Sequence, residues 1–459
     1  MSARALQICG TGSGVGKSVL VTALCRIFLQ DGYRVAPFKA QNMALNSFVT
    51  KEDGEIGRAQ AVQAYACKIE PTVDMNPILI KPTSDRKAQI VVRGKPIGNM
   101  SAVNYISYKR NAKNIVLDSF RRLANMYELV VIEGAGSPAE INLKSHDIVN
   151  LRMAEAVSCP AILVGDIDKG GVFAWIIGTL ELLTEKEREK IKGIIINKFR
   201  GDKRLLKGGI RFLEKKTGIK VLGVIPYIKD LRIQEEDSIP LDKQRIKKTN
   251  GMKKINIDVV YLPHISNFTD FDTFEVEEDV NLSYAKEARD LDNPDVIIIP
   301  GSKNTIYDLS YLIKSGLGSK ILSILNNERL VALIGICGGY QMLGERIYDP
   351  YYIESSNGKI TGFGLLPVAT TISKKKVLAQ IRARHIHSGV EISGYEIHHG
   401  RTKKTKYCDA VFEIFQRSGK TTRELDGAQS ENGRIWGTYI HGIFDSNRFR
   451  RDFLNRIRI

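Results

Sequence analysis

Two rhythms of apolar residues alternate along the first half of the chain. Short, almost unbroken apolar runs stand at ALQICG from Ala5, RVAPFKA from Arg34, ELVVIEGAG from Glu128, PAILVGDID from Pro160, KGIIINKF from Lys192 and KVLGVIP from Lys220. Between them lie stretches such as SVLVTALCRIFLQDG, from Ser18, with apolar residues at helical spacing. Strands without a polar face are covered on both sides, so a parallel sheet between layers of helices is predicted. The basic stretch DKQRIKKTNGMKKIN, from Asp242, interrupts the pattern, with few apolar residues and a glycine, as an exposed connection reads. Beyond it the rhythm restarts with INIDVVYLP, DVIIIPGSKNT, LVALIGICGGYQMLG and GRIWGTYIHGIF. The expectation is an α/β protein of two doubly wound domains with mainly parallel sheets. Residues 1–235 form the first domain, 236–254 a basic linker and 255–459 the second.

Composition narrows the class. With 459 residues, 43% of them hydrophobic, the chain can bury proper cores in two or three domains. No apolar run approaches ~18 residues and the N-terminus lacks a charged-then-apolar signal pattern, so a cytoplasmic protein without a membrane partner is expected. The six cysteines are scattered without a C-x-x-C pair, which argues against a disulfide framework and against zinc. A formal net charge of +17 invites a nucleic-acid reading. The Lys and Arg residues are, however, spread along the chain and not interleaved with aromatics, so a solvated surface is the better account and no nucleic-acid partner is expected. A positive field would also favour a polyanionic small substrate.

The chemistry begins at GTGSGVGKS. Gly10, Thr11, Gly12, Ser13, Gly14, Val15, Gly16, Lys17 and Ser18 match a phosphate-binding loop one residue longer than the common form, because Thr11 stands where that form has its first glycine. Glycines let backbone N–H groups converge on phosphate oxygens, Lys17 can reach the outer phosphates, and Ser18 can ligate magnesium. A plain strand-to-helix turn is the competing reading. Glu133, Asp166 and Asp168 end apolar strands at the edge where open α/β sheets bind ligands. Glu133 is the candidate second magnesium ligand; Asp166, Asp168 and Lys39 are candidate substrate contacts, with helix capping or plain surface charge as the bland alternatives. Asn197 in IIINKFRGD resembles an adenine-reading asparagine, and Arg200 replaces the aspartate of guanine readers.

In the second domain, Cys337 stands where a strand meets helical spacing, between residues that permit a tight turn. This layout exposes a nucleophile and aims the N–H groups of Gly338 and Gly339 at a developing oxyanion. Gly301 and Ser302, after the run ending at Pro300, can supply a second donor. His441 ends the last apolar strand and is the candidate base, with His398 and His399 as rivals. A thiol beside an imidazolium ionises more readily. A small core cysteine is the alternative.

Together GTGSGVGKS, PFKAQNMALNS, EIGRAQAVQA, MNPILIKP, VIEGAGSPAEINL, DIDKGGVFA, INKFRGD, PGSKNT, GICGGYQMLG and YIHGIF resemble the cobyric acid synthase family over essentially the whole chain. The first half is similar to the dethiobiotin-synthetase type of ATP-binding P-loop domain, the second to class I glutamine amidotransferases. The resemblance implies ATP, magnesium, glutamine and a corrinoid as ligands. It further implies amidation of the b, d, e and g carboxylates of adenosylcobyrinic acid a,c-diamide in cobalamin biosynthesis, with Cys337 forming a glutamyl thioester, His441 as its acid and base, and ammonia attacking an acyl phosphate along a protected route. Many class I members carry a glutamate two residues after the histidine, whereas this chain has Ile443, so only a dyad is assigned. The readings set against it are cobyrinic acid a,c-diamide synthase and a regulatory P-loop ATPase with an idle second domain. The pattern leaves oligomeric state open.

Overall fold

The computed structural model describes residues 3–84, 87–144, 147–229, 231, 233, 255–327, 330–355 and 357–458; the segment 236–254, read as a linker, lies outside the described residues. The chain divides into two compact units. The first comprises 1–43, 56–80 and 86–234, and the second 44–55, 81–85 and 235–459.

The first unit is built on a six-stranded parallel sheet in the order Val221–Pro226, Ile191–Phe199, Ala161–Asp166, Arg4–Gly10, Leu129–Glu133, Val35–Phe38. The predicted unbroken apolar runs are these strands, and Val130, Val131 and Ile132 show the reason, each being fully buried. Helix Lys17–Gln30 lays Leu20, Val21 and Cys25 against Ile8, Val131 and Val164. Each such aliphatic side chain contributes roughly 1.5–3 kcal/mol through burial. Strand Arg4–Gly10 is central, so the loop after it opens at the carboxyl edge, flanked by Glu133 on one side and Asp166 on the other.

The second unit repeats the plan with the strand order Val280–Ala285, Ile255–Val260, Val296–Ile299, Ala332–Ile336, Ile435–Thr438, Ala428–Gln429, parallel except for the last pair. It also carries a sheet that the apolar runs did not reveal. Strands Val368–His385 and Glu391–Lys404 form a long antiparallel hairpin, and Ile440–His441 pairs onto its edge with His441 opposite Tyr395. Its signal is alternation: Ala379, Ile381, Ala383 and His385 are buried while Arg382 and Arg384 point outward. Among the described residues no helix is long and apolar enough to cross a membrane.

Candidate active site

Each unit holds a cluster of chemically competent side chains at the carboxyl edge of its parallel sheet. In the first unit the loop turns through left-handed backbone at Gly14 (φ 70°) and Gly16 (φ 98°). A Cβ on Gly16 would also stand 2.3 Å from Asn197 Nδ2, so glycine is required there twice over. Lys17 Nζ donates to Gly12 O at 2.8 Å and Gly136 O at 3.0 Å, which poises the ammonium over the loop. Ser18 Oγ donates to Glu133 Oε1 at 2.8 Å, Lys39 Nζ lies 2.9 Å from the same oxygen, and Gln63 Nε2 donates to Glu133 Oε2 at 2.5 Å. Burial pushes the Glu133 carboxyl toward protonation, but the Lys39 ammonium, with Gln63 and Ser18, overrides this and holds it below the usual carboxylate range.

The loop therefore presents a hydroxyl and an ionised carboxylate oxygen side by side, the donor set that magnesium takes beside phosphates. Thr11 Oγ1 is buried and, among the described residues, lacks a hydrogen-bond partner, a group suited to a ligand oxygen. These features fit Mg-ATP. Asn197 Nδ2 donates to Val15 O at 2.8 Å and so fastens the loop. Asp166 is paired with Lys198, which also donates to Gly14 O, and Asp168 with Arg200, whose guanidinium lies 3.3 Å above the Tyr227 ring. Lys39 is buried against Glu133. Gln63 and Lys198 were not singled out from sequence; Gln63 sits in the quoted EIGRAQAVQA, where a glutamine on a short helix gives no hint that it is buried.

In the second unit Cys337 caps helix Gly338–Leu343 at φ 52°, ψ −103°, a conformation that costs a non-glycine residue roughly 1–3 kcal/mol. At this turn the thiol faces the antiparallel hairpin, where Sγ donates to Ile397 O at 3.8 Å. Tight packing behind it requires the glycines: a Cβ on Gly339 would lie 1.9 Å from Ile299 O, and one on Gly338 would lie 2.8 Å from Ser302 N. Lys303 N donates to His264 O, so the neighbouring Ile265–Ser302 pair is a non-hydrogen-bonded one, and the Ser302 N–H is turned away from its ladder partner. The Gly338 and Ser302 backbones thus pass close to each other next to Cys337, an arrangement that an oxyanion hole could use.

His441 lies close enough to Cys337 for the two to act on each other's charge, while the Cys337 thiol itself donates to Ile397 O, and the imidazole is held by its other side. Its Nδ1 lies 2.6 Å from Asp270 Oδ2, and Asp270 Oδ1 accepts the Gly442 N–H at 3.2 Å. The Tyr395 ring stacks on the imidazole, centroids 5.3 Å apart. Burial by itself would lower the His441 pKa; the Asp270 carboxylate and the nearby Cys337 overcome it and raise the value to about 10. Cys337, His441 and Asp270 form a candidate nucleophile–base–carboxylate array whose third member sequence reasoning missed. Asp270 precedes the histidine by 171 positions, in the 3-10 segment Phe268–Phe274, and nothing in its local pattern marks it. The rival histidines are engaged elsewhere. His398 Nδ1 meets Gly400 O at 2.8 Å, and its ring stacks on Tyr439; His399 Nδ1 meets Ser373 O at 2.9 Å. Burial pulls both pKa values down, His399 to about 3 with help from Lys303 and Lys376, so neither is cationic at neutral pH.

Comparison with known proteins matches residues 6–241 to the CobQ/CobB/MinD/ParA nucleotide binding domain and residues 256–449 to the CobB/CobQ-like glutamine amidotransferase domain. The chain is 49% identical over 461 residues to the cobyric acid synthase of Syntrophobacter fumaroxidans, covering 98% of this chain and 89% of the relative. It is 50% identical over 464 residues to that of Dehalococcoides mccartyi strain CBDB1, covering 99% and 91%. A solved structure of PurLQS from Thermotoga maritima is 18% identical with a TM-score of 0.34, covering 44% of this chain and 99% of that one.

Proposed function

Because the chain belongs to the cobyric acid synthase family, we propose that it amidates the b, d, e and g carboxylates of adenosylcobyrinic acid a,c-diamide, using ATP and glutamine. The observation that carries the proposal is the Cys337–His441–Asp270 array next to the closely approaching Gly338 and Ser302 backbones, within the matched amidotransferase domain. In this reading Cys337 attacks the glutamine side-chain amide and forms a thioester, the Gly338 and Ser302 N–H groups take the charge on the tetrahedral oxygen, and His441 gives a proton to the departing ammonia. Water, deprotonated by His441, then releases glutamate and restores the thiol. Asp270 holds the imidazole in one orientation throughout.

At the other site, Mg-ATP when bound would supply the phosphoryl group that turns an unreactive carboxylate into an acyl phosphate, and ammonia attacking the acyl carbon expels inorganic phosphate to leave the amide. The chain's part there is positioning: the 10–18 loop cradles phosphates, Lys17 offsets their charge, Ser18 and Glu133 would hold the metal, and Lys39 keeps Glu133 ionised. Asn197 is assigned to the nucleotide side and Asp166, Asp168 and Lys39 to the substrate side of the same edge. The division of labour between residues 1–235 and 255–459 belongs to this proposal.

The test is to supply the purified protein with ATP, magnesium, the a,c-diamide and either glutamine or ammonium chloride. Mass spectrometry should find product carrying the b, d, e and g amides from both nitrogen sources. Amidation of only the a and c positions, on the unamidated substrate, would identify the diamide synthase instead. Nucleotide turnover without glutamine hydrolysis would identify an ATPase with an idle second domain.

A further inference from the structure

An amide hydrolase built on Cys337 must tell glutamine from every other primary amide, and the amide group carries no such information. What distinguishes glutamine lies two methylene groups away, as an α-carboxylate and an α-ammonium. A site that reads them needs fixed cations and a fixed anion at the rim of the oxyanion loop. The second unit holds such a set. Lys303 directly follows Ser302. Glu354 Oε2 accepts the Thr305 N–H at 2.8 Å, and Thr305 Oγ1 lies 3.2 Å from where a Cβ on Gly338 would stand. Lys376, on the antiparallel hairpin, interacts electrostatically with Cys337. These groups thus belong to the elements that frame the thiol.

Opposite charges crowd together here. Glu55 has both oxygens engaged, Oε1 by Lys81 at 2.8 Å and Oε2 by Lys376 at 2.5 Å, with all three side chains no more than 4% exposed. Lys303 interacts with Glu55, with Glu354 and, repulsively, with Lys81 and Lys376. Three ammoniums and two carboxylates therefore crowd one place, with Asp349 acting on Glu354 from nearby. Burial pulls Lys303 down to about 7 and Lys376 to about 8, and pushes Glu354 up to about 7. Each of these groups sits near the edge of its charged form, and an incoming ion of opposite sign would restore it.

We propose that Lys303 and Lys376 receive the α-carboxylate of glutamine and that Glu354 receives its α-ammonium, so that this cluster sets the choice of nitrogen donor. Glu354 is the anion assigned because Glu55 is already shared between two lysines. The proposal rests on the reading of Cys337 as a nucleophile acting on glutamine.

The experiment compares glutamine with 4-aminobutanamide, which lacks the α-carboxylate, and glutaramate, which lacks the α-ammonium, as substrates, or as competitive inhibitors where turnover is too slow to follow. In the wild type both analogues should be worse than glutamine by about 10- to 100-fold or more in kcat/KM, the scale of one charge-assisted contact. Lys303→Ala should raise KM for glutamine by a similar factor with little change in kcat, and leave 4-aminobutanamide unaffected. Glu354→Gln should penalise glutamine and spare glutaramate. The spared analogue in each case doubles as a check that the variant is folded. Equal losses on glutamine and on the analogue would overturn the assignment while leaving the Cys337 reading intact. A wild type that releases no ammonia from glutamine would overturn both.

Discussion

Replacing Asp270 by Asn tests the catalytic array with almost no change in shape. In the wild type the Asp270 carboxylate lies 2.6 Å from His441 Nδ1 in a buried site and helps raise the His441 pKa from 6.5 to about 10. At 1.36 kcal/mol per pKa unit this is roughly 5 kcal/mol in favour of the imidazolium. Once the carboxylate charge is gone, burial is the largest remaining influence, and His441 should titrate below 6.5. An asparagine amide can also donate to Nδ1, fixing the tautomer whose Nε2 carries the proton and cannot accept one from the thiol. Loss of acid–base function on this scale is worth about 10²–10⁴ in rate. The expected result is a fall of that size in glutamine-dependent glutamate release, with ammonia-dependent amidation retained and the His441 ring resonance titrating several pH units lower by NMR.

Stability provides a second readout with a definite sign. A raised histidine pKa stabilises the fold fully below the unfolded value of 6.5, and the contribution is lost as pH rises through about 10. The wild type should therefore lose part of its stability between about pH 6.5 and 10, and Asp270→Asn should lack that slope. Glutaminase activity within about tenfold of wild type, together with an unshifted His441 titration, would refute the reasoning.

The remaining expectations address the other members of the two sites. Cys337→Ser should abolish glutamine-dependent amidation and leave ammonia-dependent amidation in place, measured side by side; equal loss of both in a folded variant would contradict the separation of nitrogen release from carboxylate activation. Lys17→Ala should lower amidation from either nitrogen source by about 10²-fold or more, because it removes charge from the outer phosphates, and near wild-type activity with ammonium chloride would reduce the 10–18 loop to a turn. His441→Ala should slow alkylation of Cys337 by iodoacetamide at pH 7, whereas His399→Ala should not; the reverse outcome would move the base to the hairpin. Gly339→Ala should cost at least about 1–3 kcal/mol by denaturant unfolding, since its Cβ would stand 1.9 Å from the Ile299 carbonyl oxygen.

What the sequence made legible follows from how locally each feature is encoded. The phosphate loop, Glu133 and the Cys337 turn are each set by a strand end and its next few residues, so apolar runs and glycine spacing reveal them. Asp270 and Gln63 are not legible in this way, because their roles come from burial beside a partner far along the chain: Asp270 meets His441 across 171 positions and Gln63 meets Glu133 across 70. The long hairpin escaped for a different reason. Its strands alternate basic and apolar residues, as at Ala379 to His385, and a search for unbroken apolar runs passes over alternation.

The lysine cluster shows the same limit from the side of charge. Counted along the chain, Lys81, Lys303 and Lys376 are three of 68 basic residues and read as solvated surface. Folded, all three interact with Glu55 and Lys303 also with Glu354, and Glu55 and Lys81 come from short segments, 44–55 and 81–85, that join the second compact unit from the first half of the sequence. Two short excursions of the chain thus carry charges that no count confined to residues 255–459 would include. Glu55→Gln in the full chain should on this argument weaken discrimination of glutamine from 4-aminobutanamide, measured as the ratio of their kcat/KM values, even though Cys337, His441 and Asp270 all remain, because Lys376 and Lys303 would repel each other without the Glu55 carboxylate that both interact with. An unchanged ratio would contradict it.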